Sequence, residues 1–309
     1  MFKYKVKLKG FGAERDGISS FVLRDLMDVL TEGMLRALRL RVEGRSAVAG
    51  MIPAWLDVAA DVDVYVKDAS TIEIEAPPLY ATMPERFKQL SFFAELDTSK
   101  SCFTVFEESL NDALSGDANS DLYDNGVLET FAEFKRLLAR GVESVEINNG
   151  RPRPSGPIVI QSGSIDAINR LRRQTPASRR VRLAGKIDMI RHSDRMFTLI
   201  LESGETLRGV ASGIEEETLK QFFGKVAVVS GEAVFRPSGS LLRVEADRIE
   251  AASGDVSIWS VVPRPLEAAI DARSLYKHQG SFSGLNAIFG RWPGDETDEE
   301  IFSALEAIS

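Results

Sequence analysis

The chain has 309 residues and 34.0 kDa, with 46 acidic and 38 basic side chains (net charge −8), 44% apolar residues, one cysteine and two histidines. That length suggests about two domains, each able to close a core, and the charge disfavours coating of nucleic acid or an anionic membrane unless it is unevenly spread. Cys102 alone allows no internal disulfide, a His/Cys zinc site is disfavoured, and no stretch resembles a secretory signal or approaches the roughly 18 apolar residues of a membrane span, so a cytoplasmic protein is expected.

Phe2 to Lys9 alternates apolar residues with four lysines, which predicts an amphipathic strand. The following Gly10-Phe11-Gly12 is not a dinucleotide loop, because Arg15 stands where the third glycine would allow close helix packing. Leu23, Leu26, Leu30, Met34, Leu35 and Leu38 form the stripe of a long helix over 20–41, with Ser19 or Ser20 as its cap. Residues 45–55, with Gly50 and Pro53, read as a connection. Thr71 to Glu75 reads as a strand stopped by Pro77-Pro78.

Residues 107–126 are acidic and read as a polar surface loop. Asp117-Ala118-Asn119-Ser120-Asp121 has the spacing that opens a calcium loop, but Leu122 replaces the turn glycine and Leu128 the bidentate glutamate. A helix is predicted over 127–140, then a strand from Val142 to Ile147. Three prolines and a glycine in Arg151 to Pro157 break regular structure. Pro157 to Ile160 and a helix from Ser164 to Arg173 complete the first domain.

The second domain reads as three strands (Val181 to Ile190, Met196 to Glu202, Glu205 to Ala211), a short helix (Glu215 to Phe223), then two strands (Lys225 to Arg236, Leu241 to Ile249). That is the element order of an OB-fold, a small Greek-key barrel. The expected class is therefore α+β. A mixed α/β domain (1–176) precedes a five-stranded OB-like barrel (177–252), then a linker and an acidic amphipathic tail with a short C-terminal helix (253–309).

The chain shows no phosphate-cradling Gly-x-x-x-x-Gly-Lys, no His-Glu-x-x-His and no nucleophile elbow. Ser193, His192 and Asp194 are neighbours in a turn and point apart, so they are not a triad. A binding protein without catalytic residues, metal or cofactor is favoured over an enzyme. Two segments are candidates for binding. Residues 170–195 hold nine basic and two acidic residues, and the loops after the first and fourth barrel strands carry Arg191, Arg195 and Arg236, positions where OB-folds meet single strands. Stacking residues are scarcer, since Phe197, Phe222, Phe223 and Phe235 fall mostly at core positions.

The second candidate is the end of the chain. Residues 295–309 contain six acids and no base. Thr297 and Glu300 match a capping box, and Ile301, Phe302, Leu305 and Ile308 form an apolar stripe on a helix too short to be stable alone. Such a segment suits a hydrophobic groove bordered by cations.

Leu35 to Ser46, Pro53 to Leu56 and Ile72 to Leu79 resemble uncharacterised bacterial antitoxin-like proteins, and Phe289-Gly290-Arg291-Trp292-Pro293-Gly294-Asp295-Glu296-Thr297-Asp298-Glu299-Glu300-Ile301 resembles a tail of presumptive antitoxins associated with PIN-domain ribonuclease toxins. The resemblance implies a protein partner. Asp295, Glu296, Asp298 and Glu299 would imitate RNA charge, Trp292, Ile301, Phe302 and Leu305 would anchor the helix, and Arg291 would reach the carboxylates of the nuclease centre. The alternative is a nucleic-acid-binding or sensing component of a bacterial stress or phage-defence system, acting through the barrel.

Overall fold

The computed structural model describes residues 1–10, 17–47, 52–84, 96–149, 156–191, 196–266, 297, 299–300 and 303. The chain divides into two units, Met1–Ala269 and Ile270–Ser309. The larger is α+β, with an open sheet packed on helices followed by a closed barrel.

The sheet is antiparallel, in the order β2-β3-β1-β4-β5, with β1 (Phe2–Lys9) at its centre. Tyr4, Val6 and Leu8 are buried while the lysines between them face water, as the alternation requires. Val6 lies opposite Ile72 of β3 (Thr71–Ala76) on one side and Ile147 of β4 (Ser144–Asn148) on the other. On the open face Lys3 meets Glu75 at 2.6 Å, and Lys9 pairs with Glu146. The edges are β2 (Asp63–Val66) and β5 (Ile158–Ile160).

Helix α1 (Ser20–Glu43) lays the expected stripe on the core, where Leu26, Leu30, Met34 and Leu38 are fully buried. It ends at Gly44, whose φ of +72° closes the helix in the left-handed region, its amide donating to the Leu40 carbonyl at 2.9 Å. The expected connection (45–55) leads into α2 (Ala54–Ala60), which starts at its end, and α3 (Leu79–Thr82) follows the proline pair.

The largest departure from the sequence reading is α4 (Cys102–Ser115), a helix covering the first part of what reads as an acidic loop. The Ser101 hydroxyl accepts from the Thr104 amide at 3.1 Å to cap it, and Phe103, Phe106 and Leu110 enter the core. The predicted helix over 127–140 is two, α5 (Asn125–Ala132) and α6 (Lys135–Ala139), and α7 (Ser162–Gln174) closes the domain.

The barrel closes in the order β10-β8-β7-β6-β9, with β10 (Leu241–Ala251) parallel to β8 (Thr206–Ala211) and antiparallel to β9 (Val226–Phe235). Strands β6 (Arg179–Arg191) and β7 (Met196–Ile200) form its first hairpin, and α8 (Glu216–Gln221) lies between β8 and β9, as an OB-like barrel requires. Leu183, Ile187, Phe197, Leu199, Val229 and Val244 fill the interior. Glycine is required at position 209: a Cβ there would fall 2.2 Å from the Phe197 ring. The expected linker after the barrel begins with a short 3-10 turn, Ser257–Trp259, held by a 3.2 Å bond from the Ser260 hydroxyl to the Ala184 carbonyl. Among the described residues no helix is long and apolar enough to cross a membrane.

Candidate functional site

Asp124 organises the contact between the α+β domain and the barrel. It caps α5 by accepting from the Val127 amide at 3.2 Å, and it accepts from the Ser46 amide (3.2 Å) and hydroxyl. Its other partner is Arg243 of β10, whose Nη2 lies 3.1 Å away, with the two side chains 5% and 8% exposed. Arg243 also meets Glu245 at 2.8 Å. Three residues before Asp124, Asp121 pairs with both Arg208 of β8, at 3.0 Å, and Arg236. From the far side of the joint Arg45 donates to the Ser212 hydroxyl at 2.9 Å. No sequence periodicity signals this network, because its members come from four separate segments.

Arg236 is a nucleic-acid contact by the sequence expectation. Its guanidinium is held by Asp121 and the Leu241 carbonyl, and in the same loop the Ser238 amide donates to the Ala118 carbonyl at 3.1 Å. Met196 and Val210 on β7 and β8 crowd Gly44, where a Cβ would lie 3.0–3.1 Å from them. The loop between β9 and β10 and part of the β7–β8 face, surfaces that bind oligonucleotides in OB-folds, therefore meet the α+β domain. Arg191 ends β6, and Arg195 lies outside the described residues.

Two cations of β6, Arg180 and Arg182, find acids within the barrel. Arg180 grips Asp247 with two bonds (2.6 and 2.9 Å), and Arg182 approaches Glu250 at 3.4 Å while stacking 4.3 Å from the Trp259 ring centre. Asp247 thereby raises the Arg180 guanidinium pKa. Phe197 and Phe235 are core residues and Phe222 packs against the core, but Phe223 is 58% exposed.

In the tail, the Thr297 amide and hydroxyl donate to the Glu300 carboxylate at 2.7 and 3.0 Å, and the Glu300 amide donates to the Thr297 carbonyl at 3.0 Å. This is one half of a capping box, with Glu299, Glu300 and Ser303 helical and exposed. The Thr297 amide, then its hydroxyl, holds the Glu300 carboxyl below its ordinary range. Arg291, Trp292, Asp295, Glu296, Asp298, Ile301, Phe302 and Leu305 lie outside the described residues. Comparison with known protein families, curated proteins and solved structures returns no match to this chain.

Proposed function

We propose that this chain is a non-catalytic, antitoxin-like protein that binds and neutralises a partner toxin, a PIN-domain ribonuclease, through its acidic C-terminal segment. The observation that carries the reading is a run of fifteen residues with six acids and no base, in which Glu299 and Glu300 are helical and the Thr297 amide is capped by the Glu300 carboxylate. Negative charge in the first turn suits the positive end of a helix, and the apolar stripe supplies the area that charge alone does not. Trp292 and Arg291 are the residue types that dominate interface energies. Deletion of residues 289–309 is expected to abolish co-purification with a co-expressed toxin and to restore its toxicity. Retained binding and neutralisation by the truncated chain would overturn the proposal.

The exposed Phe223, beside Lys225, favours a second reading in which the barrel binds single-stranded nucleic acid. The engagement of Arg236 with Asp121 weighs against it. Its test is salt-dependent binding of a single-stranded oligonucleotide, reduced by replacing Arg191 and Arg195.

A further inference from the structure

Strand β2 is an edge of the open sheet, and Asp63, Tyr65 and Val66 on it are exposed, Tyr65 by 45% and Val66 by 50%. The Lys67 amide donates to the Thr71 carbonyl of β3 at 2.9 Å. In an antiparallel ladder the residues that bond a given neighbour alternate. Tyr65 and Asp63 therefore also turn their backbone N–H and C=O groups toward β3, while Val64 and Val66 turn theirs outward. Among the described residues neither valine makes a backbone bond outside the ladder. Such a row of open backbone groups is a template for one more strand.

The side chains say which strand that is. Asp63, Tyr65 and Lys67 share the face that holds Glu73 and Glu75. Asp63 stands directly opposite Glu75, a like-charge pairing that is unfavourable, and it has no ion-pair partner among the described residues. Lys67, with a side chain 49% exposed, meets Glu73 at 3.2 Å and lies 5.3 Å from the Tyr65 ring centre. Glu73 is also approached by Lys3 at 3.6 Å, so it keeps a cation if Lys67 turns elsewhere. Asp63-Val64-Tyr65-Val66-Lys67 is thus complementary to its own reverse. In an antiparallel pairing centred on Tyr65, Val64 of one copy faces Val66 of the other, which joins the outward backbone groups, and Asp63 faces Lys67 at both ends. Sliding the register by two residues either way sets Asp63 opposite Tyr65 or Ala69, where it meets no cation. The other edge, β5, follows Pro157 and carries no charge that could fix a register.

We propose that β2 pairs with β2 of a second copy of this chain, antiparallel and centred on Tyr65, so that the two five-stranded sheets join across a two-fold axis. The pairing satisfies the open edge, gives Asp63 a cation and covers the exposed Val66. Four residues a side form an interface well below standard size, so the dimer is a weak one, with a dissociation constant of about 10–500 µM.

The test is analytical ultracentrifugation of the full chain from about 5 to 500 µM, where a monomer–dimer equilibrium is expected. Val66→Pro removes an outward N–H that β3 does not use, and should leave a folded monomer. Lys67→Asp sets like charges opposite each other at both ends and should weaken the dimer about tenfold, and adding Asp63→Lys to the same chain should restore it. Tyr65→Cys places a thiol on the axis, where facing Cβ atoms are about 4.5–5.5 Å apart. Because Cys102 is buried, mild oxidation of that variant should give a covalent dimer, and oxidation of Lys67→Cys, away from the axis, should not. A chain that stays monomeric at 500 µM would overturn the proposal. So would a dimer indifferent to Val66→Pro and Lys67→Asp, or one that the charge exchange fails to restore.

Discussion

Asp124 and Arg243, 119 residues apart in the chain, form a buried ion pair at 3.1 Å between the α+β domain and the barrel. Removing one partner of such a pair strands a charge in a poorly solvated place. Asp124→Ala also removes the α5 cap and both Ser46 bonds, so a loss of roughly 3–5 kcal/mol is expected in urea denaturation. Asp124→Asn, which can keep the cap, should cost less. A loss below about 1 kcal/mol for the alanine variant would mean that the pair contributes no more than a surface ion pair.

Gly44 and Gly116 both end helices in the left-handed region, with φ of +72° and +75°. Around Gly116 there is open space, whereas Gly44 is packed against Val210 and Met196. Alanine at 116 should cost about 1–2 kcal/mol, the conformational penalty alone. Alanine at 44 should cost more, and the difference between their urea-derived stabilities measures packing at the joint. Equal losses would show that the barrel gives way freely there.

Asp25 is buried on α1, and the Arg140 guanidinium, then that of Arg24, holds its carboxyl below the usual range. A lowered folded-state pKa gives stability that is complete above the unfolded value of about 3.9 and is lost as the pH falls through the folded one. Asp25→Asn should therefore be less stable than the parent at pH 7, with the gap closing as the pH drops below about 4. A gap independent of pH would show that the carboxylate's charge is not what matters.

Cys102 is fully buried in the first turn of α4, its Sγ 3.4 Å from the Met34 carbonyl. Burial pushes its thiol pKa far up, so the thiolate needed for reaction is scarce. An aromatic disulfide reagent at pH 8 should leave the native protein unlabelled and modify one thiol per chain in denaturant. Native labelling at the rate of a free thiol would reveal local opening of α4.

Where period alone decides the structure, the sequence was legible. The lysine alternation of β1, the stripe of α1 and the strand order of the barrel are all local patterns, and each folds as its pattern implies. Helix α4 was hidden because Glu107, Glu108 and Asp112 interrupt its apolar spacing, and Glu107 is nevertheless buried. Strand β2 is four residues long and largely exposed, too short to show a pattern. Of the candidate site residues, Arg236 was visible as a charge in a loop, but Asp121, which holds it, lies 115 residues earlier. Pairings over that distance arise from topology and leave no local signal.

The separation of Asp124 from Arg243 also sets an order of events during synthesis. The carboxylate leaves the ribosome 119 residues ahead of the guanidinium that will cover it. At roughly 5–20 residues per second, that is a delay of about 6–24 s. Through that interval the first domain must remain soluble with Asp121 and Asp124 still in water, where an ionised side chain is well accommodated. Had the early half of the joint been the apolar one, a nascent chain would expose a sticky surface for the same period.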